Sequence, residues 1–237
     1  MKAYLINLDR SPGRLAEADA QLRAAGVAYE RVPAVDGRAL GRAGLRGRVS
    51  RFRFFLVHGR LPTPGEVACA CSHLEAYRRL LASGEGAALV FEDDVTLDPD
   101  AFRDALARVE ARFDPATPEL FLLCDHEGAD EAEAIVPAGD ACFAECYVVT
   151  AAAARRLLAL NDPVRAAADA WAHWAARGVA VLKVLPTACR QRGVGSDINP
   201  AWRPKRRARW GWYVALWRAR LALGHALDWL IWRLAGR

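Results

Sequence analysis

The chain has 237 residues, 53% of them hydrophobic and 26% charged, which suits one large or two small globular domains and excludes a disordered chain. Its net charge of +5 is uneven: from Arg203 onward nine Lys/Arg face a single acid, Asp228, whereas the first 202 residues carry 24 bases and 27 acids. The basic character belongs mainly to the tail. The apolar start "AYLI" is broken at once by Asn7, Asp9 and Arg10, so no secretory signal is expected. The six cysteines, Cys69, Cys71, Cys124, Cys142, Cys146 and Cys189, are then expected as free thiols. Zinc on Cys69, Cys71, Cys142 and Cys146 is the alternative, disfavoured because both pairs lie in segments that read as regular structure.

In chain order, Lys2–Asp9 reads as a buried strand. Ser11 and Pro12 open a helix that Gly26 stops. Val27–Val32 is a second strand, completing a βαβ unit. Gly37–Gly65 holds seven arginines and no acid and reads as a loop-rich insertion near something negative. Thr63-Pro64-Gly65-Glu66 is a capping-box helix start, with the helix running to about Ala82. A strand, "AALVF", follows. Ala101–Arg112 is predicted helical, Leu120–Cys124 a strand, "CFAECYVV" a strand, Ala151–Leu160 a helix and "VAVLKVL" a late strand. The alternation predicts an α/β fold around a mainly parallel sheet.

Chemistry concentrates at "VFEDDVTLD" (Val90–Asp98), where Glu92, Asp93 and Asp94 directly follow an apolar strand. Like charges this close stay ionised together only in water or around a cation. Strand alternation would point Glu92 and Asp94 one way and Asp93 the other, offering two hard oxygen ligands to Mg²⁺ or Mn²⁺. A solvated loop, with Asp94 or Asp98 capping the next helix, is the plainer alternative. Arg10 and Arg14 flank a helix start that favours an anion, and arginine adds bidentate phosphate recognition. A phosphate-friendly turn and a metal-friendly strand end in one sheet suggest a nucleoside diphosphate.

Four blocks, "INLDRSPGR" (Ile6–Arg14), "AVDG" (Ala34–Gly37), "GEVACACSHLEAY" (Gly65–Tyr77) and "LVFEDDV" (Leu89–Val95), resemble glycosyltransferase family 25, of the bacterial lipopolysaccharide β-galactosyltransferase type. A fifth, "CYVVTAAAARRLL…AAADAW", and "GSDI" (Gly195–Ile198) extend the likeness. Ala68, where the family usually has glycine, and Ala168, where it has a larger hydrophobic residue, depart from the pattern. The resemblance implies a GT-A type fold over residues 1–200 and inverting transfer of a sugar, galactose being expected, from a UDP-sugar to a lipopolysaccharide, lipooligosaccharide or related glycan. It also implies that "EDD" is a DxD-like motif for Mn²⁺ or Mg²⁺, with Asp94 as direct ligand and Glu92 and Asp93 on ribose or the metal. Asn7, Arg10, Arg14, Asp36, Ser72 and His73 fall to the nucleotide-sugar by the same likeness.

Inverting transfer needs one general base. Asp169 matches the family's late aspartate, and Trp171 and Trp174 nearby could stack on sugar; the alternative is that Asp169 caps the following helix. Asp125 and His126 are reserve bases. Two other functions remain open: a Mg²⁺-dependent phosphoesterase or nuclease, and nucleic-acid binding through the Arg/Trp tail. Against the latter, residues 201–237 read as a separate basic segment containing a Trp-rich amphipathic helix in which Arg218, His225, Asp228 and Arg233 share one polar arc. That pattern suits an anionic membrane surface, and no nucleic-acid partner is expected. The implied location is cytoplasmic, peripheral on the inner face of a bacterial inner membrane.

Overall fold

The computed structural model describes residues 1–124, 133–138, 141 and 144–192. The chain opens with β1 (Lys2–Asn7), α1 (Pro12–Ala24) and β2 (Glu30–Pro33). Pro12 stands in the first turn of α1, and Gly26, at φ 75°, turns the chain out of it. The arginine-rich stretch that reads as loop instead forms two short helices, α2 (Gly37–Gly44) and α3 (Arg51–His58). Asp36 caps α2 by accepting the Arg38 N–H at 2.8 Å. Phe54, fully buried, pins α3 to the core. Arginine's long stem tolerates helix as readily as loop, so charge composition alone misread this segment.

Helix α4 (Pro64–Ser83) begins with the expected capping box: Thr63 Oγ1 accepts the Glu66 N–H at 3.2 Å, and Glu66 Oε2 accepts the Thr63 N–H at 2.8 Å. Gly84, at φ 74°, ends it. There follow β3 (Ala87–Glu92), β4 (Val95–Leu97), α5 (Pro99–Glu110), β5 (Glu119–Leu122), β6 (Ala134–Pro137), β7 (Cys146–Thr150), α6 (Ala151–Asn161), α7 (Trp171–Ala175), β8 (Ala180–Leu185) and β9 (Cys189–Gln191). Asp98 caps α5 through the N–H groups of Asp100 and Ala101.

The central sheet runs β2-β1-β3-β7-β5-β8-β6, with β4 and β9 paired separately. β1 is parallel to β2 and β3, and β5 to β8, whereas β7 and β6 run antiparallel to their neighbours. Five of the seven strands thus point one way, as the alternating pattern predicts. Both faces are covered. Tyr4, Ile6, Ala88 and Val90 pack with Val67, Leu74 and Leu157 of α4 and α6. The alternate residues Ala3, Leu5, Ala87, Leu89 and Phe91 pack with Leu22, Phe102 and Val109 of α1 and α5. Burial on both faces is why these strands read as continuous apolar runs. Among the described residues no helix is long and apolar enough to cross a membrane. The boundary expected near residue 200 and the tail beyond it lie outside the described residues.

Candidate active site

The carboxyl ends of β1, β2 and β3 meet the N-terminal half of α4 around a cleft of about 340 Å³. Asn7, Arg10, Arg14, Asp36, Ser72, His73, Glu92, Asp93 and Asp94, the residues assigned from sequence to the donor and cation, all line it. Gly37 makes the meeting possible, because a Cβ there would come within 2.7 Å of Pro64 O at the start of α4. Any side chain would push α2 off α4 and open the cleft wall.

The geometry corrects the alternation expected along the strand and shows which partners the site residues have. β3 ends at Glu92, and Asp93 and Asp94 form the turn that leads into β4. Strand alternation therefore stops at Glu92, and all three carboxylates face one cleft. Arg14, on the first turn of α1, bridges two of them: its Nη2 pairs with Asp93 Oδ1 and lies 3.1 Å from Asp94 Oδ2. Its sequence role was phosphate contact; its observed partners are carboxylates. Arg10 pairs with Asp36 at 2.8 Å. Asn7 donates to Asp93 Oδ2 at 2.7 Å and accepts from Arg31 Nε at 3.1 Å.

Ser72 and His73 are almost fully buried, at 1% and 2% exposure. Ser72 Oγ donates to Ala68 O at 2.8 Å and accepts the Val35 N–H at 2.9 Å, which fastens the β2 exit loop to α4. His73 Nε2 lies 3.0 Å from Glu92 Oε1, and Nδ1 lies 2.6 Å from the Tyr147 hydroxyl, itself 2.9 Å from that of Tyr77. Both side chains thus line the cleft while holding its walls.

Asp169 is not among the cleft-lining residues. It borders the site: burial first, then Glu92 and Asp169, push the Cys69 thiol well above its usual range. The N-cap position of α7 falls to Ala170, one residue after Asp169. Trp171 and Trp174 cannot stack on a sugar. Each is 1% exposed, Trp171 edge-on to Tyr147 and Trp174 donating its indole N–H to Ala168 O at 3.2 Å. Core packing takes up their apolar rings. Asp125, His126 and Cys142 lie outside the described residues. The cysteine set considered for zinc does not converge, since Cys69 packs on one face of the sheet and Cys146 on the other.

Two residues escaped sequence reasoning. Glu145, 1% exposed, precedes β7, and its carbonyl accepts the Glu92 N–H at 2.9 Å. Burial, then Glu92, push its carboxyl up to about 9. Its only sequence signal was an acid abutting an apolar strand. Gln191, on β9, donates to Asp94 Oδ2 at 3.3 Å. A three-residue strand leaves no periodic trace.

The acids suit a cation. Burial, then Glu92, push Asp94 up to about 7, and Asp94 Oδ1 is buried with no hydrogen-bond partner among the described residues. Burial also raises Asp93, against the opposing pull of Arg14 and Asn7. Among the described residues Arg14 is the arginine paired with these acids, which leaves the group underneutralised, and oxygen-only donors at a strand end match a hard divalent ion.

A doubly covered, mostly parallel sheet with an acidic, arginine-bridged cleft at its carboxyl edge defines the class: an α/β protein with a candidate ligand cleft at the strand ends. The model described as glycosyltransferase family 25 (LPS biosynthesis protein) matches residues 1–134, and the chain belongs to that family. A glycosyltransferase 25 family member of Aedes aegypti is 34% identical over 45% of this chain and 18% of its own length. The inactive glycosyltransferase 25 family member 3 of Homo sapiens is 30% identical over 69% of this chain and 29% of its own. The chain thus spans less than a third of these relatives. A solved structure of an active-site mutant of LgtC aligns over 94% of this chain and 95% of that one, at 13% identity and a TM-score of 0.45.

Proposed function

We propose that the chain is an inverting glycosyltransferase that moves galactose from UDP-galactose to a lipopolysaccharide, lipooligosaccharide or related glycan. One observation carries the reading: in a member of family 25, the residues chosen from four separate sequence blocks line a single cleft, whose volume suits a small-molecule ligand. Asp94 and Glu92 would hold a Mn²⁺ or Mg²⁺ ion, which supplies charge neutralisation for the departing diphosphate. Arg10 and the start of α1 favour the phosphates, Asp36 and Asn7 the nucleoside. Arg14 holds Asp93 and Asp94 in place. His73 fixes Glu92, and Ser72 holds the loop that carries Asp36. Asp169 removes the proton from the acceptor hydroxyl as its oxygen attacks the anomeric carbon.

The same reading places the acceptor at a membrane. Residues 203–237 lie outside the described residues, and their basic, Trp-rich sequence supports peripheral attachment at the cytoplasmic face of a bacterial inner membrane. Family membership favours sugar transfer over the phosphoesterase and nucleic-acid alternatives.

Because some of the relatives are named inactive, turnover is the decisive measurement. UDP release is followed with UDP-galactose, other UDP-sugars and a truncated lipopolysaccharide acceptor, with and without Mn²⁺. Acceptor-stimulated, metal-dependent release from UDP-galactose is expected. No release from any UDP-sugar, in protein that is folded, defeats the proposal.

A further inference from the structure

The cleft holds a second set of potential ligands, of different chemistry, that shares only Glu92 with the all-oxygen "EDD" group. Cys69 and His73 occupy positions i and i+4 of α4, so they share one helix face, and that face meets Glu92 at the end of β3. One ligand atom from each of the three lies within 4.8 Å of the others. His73 Nε2 to Glu92 Oε1 is 3.0 Å, and Cys69 Sγ to the same oxygen is 4.0 Å. A tetrahedral zinc ion with ordinary bond lengths requires about 3.4 Å between nitrogen and oxygen and about 3.6 Å between sulfur and oxygen. Side-chain shifts of a few tenths of an ångström would satisfy both, and the sulfur–nitrogen pair, within 4.8 Å, must close to about 3.6 Å by a turn of the Cys69 side chain.

We propose that Cys69, His73 and Glu92 form a binding site for Zn²⁺ or a similar borderline ion, one that shares Glu92 with the hard-ion site but does not use Asp94. A sulfur–nitrogen–oxygen set selects such an ion over Mg²⁺. The support around it is already built. The Tyr147 hydroxyl sits 2.6 Å from His73 Nδ1 and is backed by Tyr77, so it orients the imidazole with Nε2 toward the site. All three ligands line the cleft, which gives the ion an entry path and leaves a fourth position for water or a ligand oxygen. Binding releases the Cys69 thiol proton to solvent and fastens α4 to β3. The pairs of cysteines in the sequence pointed to no such site, because its other two ligands are a lone helical histidine and a strand-end glutamate.

Cobalt reports on the site directly. Full-length, chelator-washed protein titrated with Co²⁺ should develop a near-ultraviolet thiolate-to-cobalt charge-transfer band that saturates at one equivalent and is bleached by Zn²⁺. Cys69→Ala should abolish the band, and Asp94→Asn should leave it unchanged. Zn²⁺ should raise the melting temperature of the wild type and of Asp94→Asn, but not of Cys69→Ala. A wild type without the band overturns the proposal. A band that survives Cys69→Ala does so too, because the ion would then sit elsewhere, for instance on Cys124, Cys146 and Cys189. Loss of the band in Asp94→Asn would refute a separate site.

Discussion

Asn7 Nδ2 donates a 2.7 Å hydrogen bond to Asp93 Oδ2 across 86 residues of chain, joining the ends of β1 and β3 in the floor of the cleft. Asn7→Ala leaves a buried carboxylate oxygen short of a partner, and the loss should cost about 1–3 kcal/mol. Urea denaturation gives the cost, and UDP titration calorimetry should show weakened binding. An unchanged midpoint would mean that water replaces the amide.

Asp94 should trade stability for cation binding. The unfolded carboxyl loses its proton near 3.8, the folded one only at about 7. The folded state therefore binds the extra proton between these values, and stability falls as pH rises through that window. In chelator at pH 8, Asp94→Asn should be more stable than wild type by at least about 1 kcal/mol, with the difference shrinking toward pH 4. The same variant should lose Mn²⁺-dependent UDP binding. Equal stabilities at both pH values would contradict a desolvated carboxylate.

His58 acts in the opposite sense. Its Nε2 accepts the Ala167 N–H at 3.1 Å, two residues before Asp169. Burial, then Arg60, lower its pKa from 6.5 to about 4. Its contribution is present above pH 6.5 and is lost as pH falls through about 4, because the unfolded chain takes up the proton first. At pH 5 the loss should reach about 2 kcal/mol relative to pH 8, and His58→Gln should remove this part of the slope. Parallel pH profiles for the two proteins would show that His58 titrates normally.

Asp169→Asn should lower kcat by about 10²-fold with donor affinity little changed. Thermal stability should hold, since the cap position of α7 belongs to Ala170. Full turnover in the variant would move the base role to another acid, with Glu145 next to be tested.

Vesicle flotation tests the tail. Each Lys or Arg near anionic lipid contributes about 1 kcal/mol, so the full chain should rise with anionic vesicles and less so in high salt. A chain ending at Ile198 should stay behind. Equal behaviour of the two chains would refute membrane attachment.

Local chemistry was legible in the sequence wherever the partners sit within a few residues. The Thr63–Glu66 capping box, the helix stop at Gly26 and the apolar runs of β1 and β3 each depend on spacing that a turn or a pleat repeats. The "EDD" group was legible for the same reason, since three adjacent carboxylates after a strand need a cation or water whatever surrounds them. Tertiary structure alone decided what those residues face. Arg14 turned out to bridge Asp93 and Asp94; Trp171 and Trp174 went to the core; His73 found Tyr147 across 74 residues and Glu92 across 19. Glu145, just before β7, and Gln191, on β9, joined the site through strands that pair antiparallel to their neighbours. Side-chain type sets what a residue can bind, whereas strand order and register set what lies within 3 Å of it, and only the assembled sheet specifies those distances.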